Sequence, residues 1–152
     1  MKARGSVTNR VGYLLKQAQH GLRARMDQEL KFLGLSTAQY AVLTALQEAN
    51  VASGAELARR CFVTPQTITA LIAGLDQARL IDRSPSRHHG RIIESRLTDT
   101  GQTLLRRAHA IVKTIEDDML ADLSELDRGA LARMLKSCVH RLGADSEAFA
   151  RG

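Results

Sequence analysis

Two helix-start signals stand eleven residues apart, at Ser53-Gly-Ala-Glu56 and at Thr64-Pro65. The first reads as a capping box: the Ser oxygen takes an orphan backbone N–H and the Glu three residues on reaches back. The second places an N-cap Thr before a Pro at the first helical position, where the missing N–H costs nothing. Between them there is room only for a short helix to about Cys61, with Leu57 and Ala58 inward, and then a tight turn. The next helix runs from Pro65 to about Ala78, with Ile68, Leu71, Ile72 and Leu75 on its buried side. A short helix, a tight turn and a second helix make a helix-turn-helix. After Leu80 the apolar period changes. Leu80 to Pro85 reads as a strand, Ser86 to Gly90 as a turn, and Arg91 to Leu97 as a second strand with Ile93 and Leu97 on one face. A hairpin in this place is a wing.

Long amphipathic helices flank this unit. From about Asn9 to Leu33 apolar residues recur at helical spacing (Val11, Leu14, Leu15, Ala18, Leu22, Met26, Leu30), and Gly34 is a plausible left-handed stop. Ser36 and Gln39 form another capping box before a helix to about Ala49. Thr98 caps a long helix to about Asp122, and Ser124 with Asp127 opens a last one with Leu131, Met134, Leu135, Val139 and Leu142. The tail after Gly143 is expected to fray. The end helices carry more apolar positions than so small a core can cover, which points to a dimer interface. The expected fold is mostly α: a winged helix-turn-helix over residues 34–100, with helical dimerisation segments at 1–33 and 101–152.

Composition narrows the function. Hydrophobic residues at 44% and charged residues at 25% exclude a disordered chain. Aromatic residues at 3%, with no Trp, cannot build the stacking platforms that single-stranded nucleic acids need. Two Cys make neither a disulfide framework nor a four-thiolate zinc site. No apolar run approaches the ~20 residues that span a bilayer, and Met1 to Arg10 leads into no apolar leader segment. No membrane partner is expected, and the chain reads as cytoplasmic. The formal net charge of +6 is uneven. Residues 1–33 carry seven basic and two acidic residues, and residues 54–97 carry seven and four. The stretch from Glu116 to Asp127 is acidic and would repel phosphate. A basic part beside an acidic part separates a polyanion-binding end from one that faces something else.

Helix-turn-helix proteins lay their second helix in the major groove of double-stranded DNA, with its N-terminal residues at base edges. Here burial of Ile68, Leu71, Ile72 and Leu75 turns Gln66, Thr67, Thr69, Ala70 and Ala73 outward, after Thr64 and Pro65. Gln pairs bidentately with adenine, and Thr offers a hydroxyl or touches a thymine methyl. Arg83, Arg87 and Arg91 flank the hairpin tip, and an Arg on a protruding loop suits the negative minor groove. His88 and His89 are adjacent and have no Cys or carboxylate cluster near them in sequence, so no metal is expected there.

Several of these segments together resemble the MarR family of bacterial transcriptional regulators: Leu33-Gly-Leu-Ser-Thr-Ala-Gln39, Glu56-Leu-Ala58, Val63-Thr-Pro-Gln-Thr-Ile-Thr69, Leu80-Ile-Asp-Arg83, Gly90-Arg91 and Leu97-Thr-Asp-Thr-Gly101. The resemblance covers about Val11 to Leu142. It implies a homodimer held by the first and last two helices. It also implies repression at pseudo-palindromic operators, and release by a small, often aromatic or phenolic anion bound between the dimerisation and DNA-binding regions. Its DNA-contacting positions fall on Thr64, Gln66, Thr67, Thr69 and Arg91. The chain departs from the pattern at Gly74, where a basic residue is usual, and at Arg79, where Gly is usual. It departs again at His89, where an acid is frequent, and at Ser95, an inward strand position normally apolar.

The effector pocket that the resemblance implies lies where the first, second and fifth helices meet. Tyr13, Lys16 and His20 on the first helix and Tyr40 on the second are the polar candidates: His or Lys for a carboxylate, Tyr for a phenol. A thiol switch is the rival reading, because Arg59 and Arg60 beside Cys61 would lower its pKa; Cys138 lies in the last helix. A winged-helix adaptor that binds protein is a further alternative. No enzyme is expected, since His20, His109 and His140 sit on separate helices without a catalytic motif. No cofactor is expected.

Overall fold

The computed structural model describes residues 6–144. The tail beyond Ala144, which the sequence leads one to expect to fray, lies outside the described residues. Nine elements follow in order among the described residues: α1 (Val11–Leu30), α2 (Thr37–Ala49), β1 (Ala52–Ser53), α3 (Gly54–Cys61), α4 (Pro65–Gln77), β2 (Ile81–Pro85), β3 (Ile93–Leu97), α5 (Asp99–Met119) and α6 (Glu125–Arg141). Single 3₁₀ turns at Val7–Asn9 and Lys31–Leu33 bracket α1. The helix expected to run unbroken to Leu33 therefore tightens after Leu30, and Gly34 closes it at φ 71°. The orphan carbonyls at its end are met in part by Gly34 N–H to Lys31 and Leu35 N–H to Leu30.

The helix starts obey the cap chemistry. Ser36 Oγ accepts from Gln39 N–H at 3.1 Å, and Gln39 Oε1 accepts from Ser36 N–H at 3.0 Å. Ser53 Oγ accepts from Glu56 N–H at 3.2 Å, but the return half of the expected box is missing. Glu56 instead pairs with Arg60 one turn on, at 3.1 Å. A charge-assisted bond to a guanidinium outcompetes a neutral backbone donor. Thr98 Oγ1 accepts from Gly101 N–H at 2.9 Å, and Ser124 Oγ accepts from Asp127 N–H at 3.1 Å.

The wing is part of a three-stranded antiparallel sheet in the order β1-β3-β2, with Ala52 opposite Ser95 and Ile81 opposite Leu97. At two residues, β1 is too short to register as a period in sequence, which announces only the hairpin. Ser95 is buried, as its inward position required. One core joins α1, α2, α3, α4, the sheet and α5 as far as Ile115: Leu30, Val42, Leu43, Leu46, Leu57, Leu75, Ile81 and Leu105 are almost fully enclosed. The N-terminal half of α1 and all of α6 stand apart from it, and no residue of α6 is buried. Leu131, Met134, Leu135, Val139 and Leu142 face outward there, as do Val11, Leu14 and Leu15 on α1. Among the described residues, no helix is long and apolar enough to cross a membrane.

Candidate nucleic-acid interface and adjoining cavity

Helix α4 is seated by burial of Ile68, Ile72 and Leu75, which leaves Thr64, Pro65, Gln66, Thr67 and Thr69 exposed. Their hydroxyls are not equivalent. Thr64 Oγ1 accepts from Thr67 N–H at 3.1 Å and donates to Thr67 Oγ1 at 3.0 Å, so this residue is the cap and its proton is engaged. Thr69 donates to the Pro65 carbonyl at 2.8 Å, which leaves its methyl and an acceptor outward. Thr67 keeps its own proton, and Gln66 has no side-chain partner among the described residues. These two are the groups best able to donate to a base edge.

The turn that precedes α4 contains no Gly. Phe62 takes the left-handed conformation at φ 55° and caps α3, its N–H reaching the Arg59 carbonyl at 3.3 Å. The flanking helix starts place a turn here, but without a glycine or asparagine nothing in the sequence singles out the residue that bends.

The wing tip is longer than the sequence suggests. β3 begins at Ile93, so Arg91 lies in the turn with Arg87 and not on the strand. Ser86, itself buried, holds the tip: its Oγ accepts from His88 N–H at 3.2 Å and from His89 N–H at 3.3 Å. Ser86 N–H donates to the Ile92 carbonyl at 2.7 Å, and Ile92 N–H to the His89 carbonyl at 2.8 Å. Arg83 is set back along β2, opposite Ser95. Arg83, Arg87 and Arg91 are exposed and form no ion pair among the described residues. No cluster of three or more potential metal ligands occurs among the described residues.

Behind the helix-turn-helix lies a cavity of about 640 Å³. α1 contributes Gln19, Leu22 and Met26 to it, α2 contributes Tyr40, Thr44 and Glu48, and the helix-turn-helix contributes Glu56, Arg59, Arg60 and Phe62. Of the four residues expected at an effector pocket, Tyr40 lines this cavity. Tyr13, Lys16 and His20 are exposed on α1 and lie outside its lining. Sequence reasoning misses Arg59 and Arg60 as pocket residues, because the periodicity of the short helix marks only its inward Leu57 and Ala58. Burial pushes the Tyr40 hydroxyl above its ordinary pKa. Cys61 corrects an expectation: half-burial pushes its thiol up, and the opposing pull of Arg60 is the weaker influence. Arg60 is already paired with Glu56. Cys138 is exposed on α6.

A sequence profile of the MarR family matches residues 33–92. The HTH-type transcriptional repressor Rv2887 of Mycobacterium tuberculosis is 33% identical over 135 residues, covering 89% of this chain and 94% of that protein. This chain belongs to the MarR family. Among solved MarR-family structures, Rv2887 in complex with salicylic acid superposes with a TM-score of 0.71 at 32% identity, over 85% of this chain and 96% of that one. A mutant of MarR from Escherichia coli, complexed with operator DNA, superposes with a TM-score of 0.76 over 84% and 92% of the two chains. At 20% identity that likeness speaks to the MarR fold alone.

Proposed function

We propose that this chain is a transcriptional repressor that binds double-stranded DNA as a homodimer on a pseudo-palindromic operator and is released by a small aromatic acid. The observation that carries the DNA reading is the joint exposure of Gln66 and Thr67 on α4 and of three arginines around the wing tip that form no ion pair among the described residues. A protruding cationic loop beside a polar helix N-terminus matches the groove geometry and the phosphate charge of a duplex. Dimerisation through the segments 1–33 and 101–152 is supported by the apolar faces of α1 and α6, which are uncovered within one chain. Two such units would set their α4 helices about one DNA turn (~34 Å) apart. The effector reading rests on the cavity between α1 and the helix-turn-helix, where Arg59 has no ion pair among the described residues, and on the salicylic acid bound by Rv2887. A regulator of this kind works in the cytoplasm.

The test is selection of a duplex from a random library, followed by titration at several salt concentrations. Affinity is expected to fall linearly on a double-logarithmic salt plot, because phosphate contacts release counterions. Failure to enrich any duplex sequence, with binding indifferent to salt, would refute the DNA reading and favour a protein-binding adaptor.

A further inference from the structure

Tyr40 is tied to the fifth helix by a chain of hydrogen bonds that neither the DNA contacts nor the cavity charge requires. Its hydroxyl lies 2.8 Å from Nδ1 of His109, and Nε2 of the same ring lies 2.9 Å from Oε1 of Gln47. The Tyr40 and His109 rings meet edge-on, with centroids 5.4 Å apart and planes 80° apart. An amide oxygen has no proton to give, so the bond to Gln47 puts the imidazole proton on Nε2. With that proton on Nε2, Nδ1 is left to accept, and Tyr40 O–H donates to it. With its single proton committed, the Tyr40 oxygen can only accept any further hydrogen bond. That phenol is protonated at neutral pH, and burial moves its ionisation further above the ordinary value of 10. Tyr40 lines the cavity, whereas His109 and Gln47 stand outside the lining. At the charged end, Arg60 is committed to Glu56 at 3.1 Å, and Arg59 is left to meet an anion.

We propose that His109, oriented by Gln47, fixes the hydrogen-bond polarity of Tyr40, so that the cavity selects an aromatic acid bearing a donor group (a phenol or an aryl amine) over the same acid without one. This rests on the effector reading above and specifies its ligand. His109 is a positioning residue: it touches no ligand and acts through Tyr40.

The test is isothermal titration of the full chain with benzoate and with the three isomers each of hydroxy-, fluoro- and methoxybenzoate. Fluorine matches a hydroxyl in size but donates nothing, and a methoxy oxygen can only accept. The best hydroxybenzoate is expected to bind about 3–10-fold more tightly than its fluoro counterpart, the worth of one net hydrogen bond. Tyr40→Phe should erase that preference. His109→Leu releases the Tyr40 proton, so the methoxybenzoate of the same isomer should gain about threefold on the fluorobenzoate. Gln47→Leu, which frees the imidazole tautomer, should do the same by a second route. A residue that only packs would produce no such gain, and melting curves confirm that each variant is folded. Saturable wild-type binding with equal affinity for hydroxy and fluoro acids would overturn this proposal and leave the effector reading standing. No binding of any acid would overturn both. A methoxy acid that gains in neither His109→Leu nor Gln47→Leu would remove His109 from the account.

Discussion

Gly101 stands directly against the carbonyl of Leu80, with no room for a Cβ between them. The same carbonyl accepts from Thr98 N–H at 3.1 Å, and Thr98 Oγ1 donates to the Arg79 carbonyl at 2.8 Å. The Leu-Thr-x-x-Gly segment is thus a clasp. Thr98 caps α5 and ties it to the residues before β2, and Gly101 lets the helix lie on that backbone. Gly101→Ala should destabilise the fold by about 1–3 kcal/mol despite its gain in helix propensity. A chemical-denaturation midpoint at or above that of the wild type would show that the backbone can move aside.

Arg79 holds a left-handed conformation at φ 58°, in a place where the family pattern usually has Gly. A non-glycine residue there costs roughly 1 kcal/mol. Arg79→Gly is therefore expected to raise the melting temperature modestly, although it deletes a side chain.

Arg87 and Arg91 extend from a tip that Ser86 braces and neither is buried. Arg87→Ala or Arg91→Ala should leave the melting curve unchanged, weaken operator binding and lower the salt slope by about one each. Gln66→Ala should instead cost ~1–3 kcal/mol at particular base pairs and little on unrelated duplexes. Competition assays with single-base operator variants separate the two patterns.

Asp27 accepts from the backbone N–H of Thr37 at 2.9 Å and so holds the start of α2 to α1. That bond is the largest cause of its lowered carboxyl pKa. The unfolded chain therefore binds the proton more readily than the native one. The resulting stabilisation is in place above pH 3.8 and fades as pH falls through the lower native value. The stability of the wild type should fall more steeply with acidification below that point than the stability of Asp27→Asn, as unfolding curves collected across the acid range would show. The carboxylate is half-exposed, so the effect is small.

The outward face of α6 gives the dimer its test. Leu135→Asp with Val139→Asp puts two charges where the proposed partner would pack. Sedimentation should shift to single chains, and operator affinity should drop by at least about tenfold, because each half-site alone binds weakly. Dimers that persist in the double variant would place the interface elsewhere.

Much of this architecture is legible because helix starts are local chemistry. Ser36, Ser53, Thr64, Thr98 and Ser124 each cap the helix that their spacing announces. The inward faces of α2 and α4 are equally plain, since a 3.6-residue period needs no partner to be read. What escapes depends on residues distant in sequence. β1 exists because Ala52 and Ser53 find Ser95 and Glu94 across the sheet. Glu56 turns from its own cap to Arg60, and Phe62 bends without a glycine to announce it. At the cavity, Tyr40 is visible as a polar residue beside an apolar stripe. His109 is not, because its bond to Tyr40 spans 69 positions. Tyr13, Lys16 and His20 share the helix of the cavity but not the face that Gln19, Leu22 and Met26 present to it.

In the proposed dimer, a closing helix with no residue buried within its own chain makes abundance a structural variable. Where association is what encloses α6, the heat a sample withstands rises with how much protein is in the tube. A melting temperature for this regulator then has meaning only beside a stated concentration. A cell that made few copies would hold not merely less repressor but a larger fraction in an unfinished form.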